Sequence, residues 1–265
     1  MNAARLQTAP LAGCNVVITR PAAQAHRLAD LIRAAGGCAV LFPTLEIKDA
    51  DDGKPLQQAV ARLDEFDVAI FASANAVNKA LSAIRARRAL PPRLKFAVIG
   101  PGSRRELQQF GIQEVICATA GFDSEALLEL LPEVRGKRIV IFRGQGGRAL
   151  LAQTLNGRGA LVEVVECYRR VKPQADMAPL LQLAQDNALH AVTATSSEGL
   201  RNLSEMGGAE LQKILIKSKF YVTHARIAAT ARECGYENVI LTAAGDEGLL
   251  QGLIAGWNAK RKHHE

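Results

Sequence analysis

At 265 residues, with 48% hydrophobic and 22% charged residues, the chain has a globular composition and length enough for two domains, which would bury roughly 70–75% of their unfolded surface. No run of about 18 apolar residues is available to span a bilayer, so no membrane association is expected. A formal net charge of +7 favours anionic partners, but 5% aromatic content is poor for base stacking and no recognition motif accompanies it, so nucleic acid is not an expected partner.

Met1 to Gly13 lacks a basic segment followed by an apolar run and a small-residue cleavage site, so no signal peptide is expected and the cytoplasm is the expected location. The first predicted strand, Val16–Thr19, leads into a helical pattern closing near Gly36. Strands follow at Ala39–Leu41, Val68–Phe71, Phe96–Ile99 and Glu114–Ile116, then Ile139–Phe142, Val162–Val165, Ala191–Ala194, Phe220–Val222 and Val239–Leu241. Helical patterns separate them. Continuous apolar runs such as Val68-Ala69-Ile70-Phe71 suit a parallel sheet covered on both faces, so the alternation predicts an α/β chain of two flavodoxin-like, doubly wound halves. The basic end, Lys260-Arg261-Lys262-His263-His264, reads as a frayed, solvated tail.

The halves are copies of one another. Val17-Ile18-Thr19-Arg20 matches Val140-Ile141-Phe142-Arg143, with Arg143 lying 123 residues beyond Arg20, and Ala72-Ser73-Ala74-Asn75 matches Thr195-Ser196-Ser197-Glu198 at the same spacing. Phe96-Ala97-Val98-Ile99 matches Lys219-Phe220-Tyr221-Val222, and Asp123-Ser124-Glu125-Ala126-Leu127 matches Asp246-Glu247-Gly248-Leu249-Leu250. One recurring offset implies internal duplication, because unrelated strand–helix units would give many. The segments 42–46 and 165–170 both read as extended, either as ordinary loops or as two adjacent hinge strands by which the halves exchange their first units.

In open α/β sheets, ligands bind beyond the carboxyl ends of the strands, where helix N-termini attract anions. The loops there are rich in small, hydroxyl and basic residues. They run Arg20-Pro21-Ala22-Ala23-Gln24, Ala72-Ser73-Ala74-Asn75, Gly100-Pro101-Gly102-Ser103, Arg143-Gly144-Gln145-Gly146-Gly147-Arg148, Thr195-Ser196-Ser197-Glu198 and Thr223-His224-Ala225-Arg226. Together they imply a multidentate anion site, although Ser73, Ser196 and Asp123 are also natural helix caps and Pro21 suits a first helical turn. Neither glycine-rich loop has the spacing of a dinucleotide fingerprint or a P-loop. The five cysteines form no C-x-x-C pair and read as buried thiols, so neither disulfides nor zinc are expected. No metal-spaced histidine cluster or nucleophile elbow occurs; His26 and His190 read as surface or core-edge residues, and only His224 lies on a site-facing loop. The remaining candidate acid is Tyr168, beside Arg169 and Arg170, either a proton donor or a packing aromatic.

These motifs in order resemble uroporphyrinogen-III synthase: Val17-Ile18-Thr19-Arg20-Pro21, Phe71-Ala72-Ser73-Ala74-Asn75-Ala76-Val77, Ala97-Val98-Ile99-Gly100-Pro101-Gly102-Ser103, Asp123-Ser124-Glu125-Ala126-Leu127-Leu128, Tyr168-Arg169-Arg170 and Thr195-Ser196-Ser197-Glu198-Gly199-Leu200. The likeness spans about residues 14 to 255. It implies two flavodoxin-like domains joined by a two-stranded linker: a discontinuous domain of residues 1–43 plus 172–265, a continuous domain of 47–167, and linkers about 43–47 and 167–172.

The resemblance further implies a cofactor-free, metal-free lyase that cyclises hydroxymethylbilane, a linear tetrapyrrole polycarboxylate, with inversion of the terminal pyrrole ring and loss of water, in haem biosynthesis. It gives Tyr168 the proton donor's place. Substrate-binding places fall to Arg20, Ser73, Asn75, Ser103, Arg143, Gly144, Ser196, Ser197, His224 and Arg226. Threonine is frequent in the family where Ser103 stands, which keeps the hydroxyl; Arg226 replaces threonine in the matching loop, which substitutes a carboxylate contact for it. A monomer in transient contact with the upstream hydroxymethylbilane synthase is expected. A two-lobed binding protein would be the rival, and it would normally carry an export signal.

Overall fold

The computed structural model describes residues 9–262 apart from residue 122. In chain order the elements are β1 (Asn15–Ile18), α1 (Ala22–Ala34), β2 (Cys38–Leu41), β3 (Glu46–Asp49), α2 (Lys54–Ala61), β4 (Val68–Phe71), α3 (Ala74–Arg85), β5 (Lys95–Val98), α4 (Pro101–Gln109) and β6 (Val115–Cys117). There follow α5 (Ser124–Glu129), β7 (Arg138–Gly144), α6 (Leu150–Gly157), β8 (Leu161–Val171), α7 (Ala178–Gln185), β9 (Ala191–Ala194), α8 (Ser197–Leu215), β10 (Lys219–Val222), α9 (Ala225–Glu233), β11 (Asn238–Leu241) and α10 (Gly245–Lys262).

The chain divides into two compact units. One comprises the residues up to Glu46 and those from Val171 onward; the other is Ile47–Arg170. The first holds a five-stranded sheet in the order β11-β10-β9-β1-β2, all parallel, with Val17 opposite both Val40 and Val192. The second holds a six-stranded sheet, β3-β8-β7-β4-β5-β6, parallel from β8 to β6.

Strand alternation explains why each sheet is covered on both faces. In β1, Val16 and Ile18 pack with Leu28 and Ile32 of α1 and Leu249 of α10, while Val17 points into a separate core with Leu203 of α8 and Ile227 of α9. In β4, Ala69 and Phe71 join the core under α3, where Phe71 stacks on Phe142 at 5.2 Å, and Val68 and Ile70 join the opposite one with Leu127 of α5 and Leu155 of α6.

The duplication is visible strand by strand. β1 and β7 begin 123 residues apart, as do β2 and β8, β4 and β9, and β6 and β11; β5 and β10 differ by 124. Each sheet takes the first two strands of one copy and the last three of the other, and both then show the flavodoxin order 2-1-3-4-5.

Four local details differ from the sequence reading. The segment after β2 is not a strand until Glu46, where β3 starts and adds to the edge of β8, whereas β8 runs unbroken to Val171. Pro21 stands at the cap of α1 rather than inside its first turn. Lys260–Lys262 continue α10 instead of forming a frayed tail, while His263 and His264 lie outside the described residues. Cys38 is exposed, because the edge strand β2 lacks a neighbour to cover it, and Cys117 and Cys234 are half-buried.

Candidate active site

Two pairs of helices that the duplication makes equivalent begin differently at the carboxyl ends of the strands. Ser73 and Ser196, equivalent by the duplication, cap their helices: Ser73 Oγ accepts from the Ala76 N–H at 3.1 Å and Ser196 Oγ from the Gly199 N–H at 2.8 Å. The other equivalent pair, α4 and α9, starts from Gly100 and His224 with no side-chain cap and no acidic residue in the first turn. Their leading N–H groups and positive dipole ends are left for another acceptor. Ser103 is buried in the first turn of α4, and His224 and Arg226 are exposed at the start of α9. A cation at a helix N-terminus opposes the dipole, so Arg226 there, and Arg104 and Arg105 in α4, call for an anion to offset them.

Tyr168 is placed by an irregularity in β8. The pairing of β7 with β8 slips between Arg143 and Gly144, so that Gly144 stands opposite Tyr168 and Cys167 is skipped. Such a bulge re-aims a side chain. It lays the phenol ring on the bare Cα of Gly144 and brings its hydroxyl to 3.0 Å from Ser73 Oγ, across 95 residues of sequence. Tyr168 is 3% exposed and its ring belongs to the core beneath α3. The neighbouring Cys167 thiol bonds the Arg143 carbonyl at 3.3 Å; burial pushes its pKa up to about 12, outweighing its own backbone hydrogen bond and the charge of Lys79, so it stays protonated and unreactive.

The two equivalent arginines are occupied within their own units. Arg20 pairs with Asp246 of α10 at 2.6 Å, both side chains being nearly enclosed at 12% and 14% exposure. Arg143 reaches the carbonyls of Gly147 and Arg148 at 3.0 and 3.1 Å and the Glu166 carboxylate at 3.0 Å, so it folds the glycine-rich loop back on itself. Ser197 accepts a hydrogen bond from Thr230 at 2.9 Å, tying α8 to α9, and Asn75 is half-buried in the first turn of α3. The structure thus gathers Tyr168, Ser73 and Gly144 with the Arg143 loop in one unit, and sets Ser197 beside the helix bearing His224 and Arg226 in the other. Among the described residues no group of His, Cys, Asp and Glu could hold a metal ion, and no helix is long and apolar enough to cross a membrane.

The family described as uroporphyrinogen-III synthase HemD matches residues 26–251. The uroporphyrinogen-III synthase of Escherichia coli K12 is 31% identical over 244 residues, covering 90% of this chain and 99% of that protein. The chain belongs to the uroporphyrinogen-III synthase family. A second relative, from Synechococcus elongatus, is 32% identical over 213 residues, covering 76% of this chain and 78% of the relative. Two solved structures share the fold: a mutant uroporphyrinogen III synthase from Thermus thermophilus (TM-score 0.62, 19% identity, 93% of this chain and 99% of that one) and uroporphyrinogen-III synthetase from Helicobacter pylori 26695 (TM-score 0.57, 16% identity, 91% and 99%).

For a uroporphyrinogen-III synthase family member, the partners that sequence reasoning missed are instructive. Glu166, Asp246 and Thr230 each fix a candidate side chain, Arg143, Arg20 and Ser197 in turn, and none is near it in sequence. Only Asp246 carried a signal: it is the duplicate of Asp123, which caps α5 by accepting from the Ala126 N–H at 2.8 Å.

Proposed function

We propose that the chain converts hydroxymethylbilane into uroporphyrinogen III, closing the linear tetrapyrrole with inversion of its terminal ring and release of water. The observation that carries this is the 31% identity with the Escherichia coli enzyme across 99% of that enzyme's length. Pyrrole nitrogen pushes out the protonated hydroxyl as water and leaves a conjugated electrophile. The substituted carbon of the terminal ring attacks it, the spiro intermediate fragments, and reclosure delivers the inverted ring. The electrons come from the substrate, so no cofactor is required, and the protein's work is to hold the terminal rings in the inverting geometry and to supply one proton.

Tyr168 supplies that proton in this proposal. Ser73 Oγ accepts from the Ala76 N–H and can pass its own hydrogen to the Tyr168 oxygen, which leaves the phenolic O–H to point at the leaving hydroxyl. The uncapped starts of α4 and α9, with Ser103, His224 and Arg226, receive substrate carboxylates; Asn75 and Ser197 stand in the first turns of α3 and α8. Arg20, Arg143, Gly144 and Ser196 act by shaping those loops, since the structure engages each of them internally. A monomer in the cytoplasm, taking its labile substrate in passing contact with hydroxymethylbilane synthase, completes the proposal.

Freshly made hydroxymethylbilane, incubated with the protein, should give uroporphyrinogen III faster than it closes alone. Only the uninverted type I isomer, at the spontaneous rate, would sink the assignment. Tyr168→Phe should slow turnover about a hundredfold, within the range of a lost general acid. Unchanged turnover would make Tyr168 a packing residue, which its 3% exposure also suits.

A further inference from the structure

At the opposite, amino-terminal edge of the first unit's sheet lies a cavity of about 250 Å³ bounded by β9, β10 and α10. Its aromatic and aliphatic part is formed by Trp257 and Leu253 of α10, Tyr221 of β10, and Leu189 and His190 before β9. The His190 and Trp257 rings are 4.8 Å apart. Lys217 and Lys219 also line it, and among the described residues no Asp or Glu does. Lys219 gives one of its hydrogens to the Gly256 carbonyl at 3.3 Å and keeps the others for a further acceptor. The wall is thus about half apolar and half polar, with several polar groups converging on one hollow.

Two observations set it apart from packing space. Tyr221 is 2% exposed and lines the cavity, and no hydrogen bond joins its hydroxyl to the described residues. Gly256 keeps that hydroxyl in place, since a Cβ there would come within 2.1 Å of it. Burial pushes the Tyr221 pKa up to about 12, so the group remains a donor at neutral pH.

The second observation comes from the duplication. In the other unit, Asp67 accepts the Arg138 N–H at 2.9 Å; at the same place here, His190 Nδ1 accepts the Asn15 N–H at 3.0 Å. The strand edge is held identically, but a carboxylate has been exchanged for a ring whose hydrogen lies on Nε2. Strand register places Ala97 where Tyr221 stands and Lys95 where Lys219 stands, since Ile70 pairs with Ala97 as Thr193 pairs with Tyr221. The lysine came with the scaffold. The phenol and the imidazole are particular to this unit; the ion-pair partner of Asp67, Lys137, corresponds to Cys14, so carboxylate and cation are replaced together, and Lys219 has no acidic residue beside it among the described residues of the cavity wall.

We propose that this cavity is a binding site for a small aromatic carboxylate, the ring lying among Trp257, His190 and Leu253 and the carboxylate meeting Tyr221, Lys217 and Lys219. The probe is benzoate, against its neutral isostere benzamide and against inorganic phosphate, read by the fluorescence of Trp257, the chain's one tryptophan. Benzoate should give saturable quenching, with benzamide and phosphate each at least tenfold weaker. Tyr221→Phe should weaken benzoate severalfold, and Lys217→Glu at least tenfold. Lys217 is exposed, so its variant decides the matter should Tyr221→Phe fail to fold. No saturable response to benzoate, equal binding of benzamide or phosphate, or benzoate affinity unaltered by Lys217→Glu would overturn the site. Neither result bears on the cyclisation, which is assayed separately.

Discussion

Replacing Gly144 by alanine tests whether the bulged strand pair holds Tyr168 as tightly as the geometry indicates. The new Cβ would lie 2.6 Å from Tyr168 Cζ and 2.8 Å from its hydroxyl oxygen. The backbone there is not left-handed, so crowding alone excludes a side chain. Restoring ordinary contact of about 3.5 Å or more requires the ring to retreat by roughly 1 Å. The ring is 3% exposed and packed in the same core as Phe71 and Phe142, so the retreat overpacks that core at about 1–3 kcal/mol. It also strains the 3.0 Å bond to Ser73, worth about 1 kcal/mol more. We expect Gly144→Ala to lose about 2–4 kcal/mol in urea unfolding followed by circular dichroism, as a lower midpoint at unchanged slope. In a Tyr168→Ala background the same change should cost under about 0.5 kcal/mol, because the obstructing ring is gone. A penalty that persists in that background, or none in the wild type, would refute the reasoning.

Ser73→Ala removes both a helix cap and the partner of Tyr168 and should cost about 1–3 kcal/mol in urea unfolding, against about 1 kcal/mol for Ser196→Ala, which removes a cap. Asp246→Asn strips the nearly enclosed Arg20 of its countercharge and should lower stability by about 2–4 kcal/mol, most of it recovered by adding Arg20→Met. Iodoacetamide should label Cys38 first in the native protein, with Cys14 and Cys167 reached only after unfolding, as mass spectrometry of the peptides would show. Because burial holds the Cys167, Tyr221 and Tyr236 pKa values up at about 12, the native state keeps protons that the unfolded chain releases from about pH 8.5 for thiol and about 10 for phenol. Stability should be intact below about pH 8.5 and fall as pH rises toward 12, and Cys167→Ala should flatten the thiol portion of that fall.

The duplication and the two α/β halves were legible because repeats and apolar runs are local signals. Each predicted strand starts within one residue of its observed counterpart, and only the short edge strand β3, with a single half-buried residue, Ile47, gave no apolar run to read. What local patterning could not reveal is which strands pair. Val17 lies beside Val192 because the first strand–helix unit joins the other copy's sheet, and nothing in either apolar run encodes that choice. The caps at Ser73, Ser196 and Asp123 were readable, since a cap is a contact within three residues. The Tyr168–Ser73 bond was not, because it depends on a register slip that moves Tyr168 opposite Gly144. Nor was the engagement of Arg20 and Arg143, whose carboxylate partners stand 226 and 23 residues away.

Comparing the copies position by position separates scaffold from specialisation. Ser73 and Ser196 cap their helices alike in both units, and only Ser73 also meets a tyrosine hydroxyl. The arginines differ: Arg20 is neutralised by Asp246, while the matching Asp123 is spent on a helix cap, and Arg143 turns instead to Glu166 and its own loop. Tyr168 corresponds to Leu45, so a phenol stands in only one copy. Of the equivalent starts of α4 and α9, neither of which has a side-chain cap, α4 has the buried hydroxyl of Ser103 in its first turn, whereas α9 has the exposed guanidinium of Arg226. A duplicated scaffold left to symmetry would offer a two-fold set of identical groups. In the proposed reaction, inverting one ring of a linear tetrapyrrole requires the two reacting ends to be told apart, which groups identical in both copies cannot do.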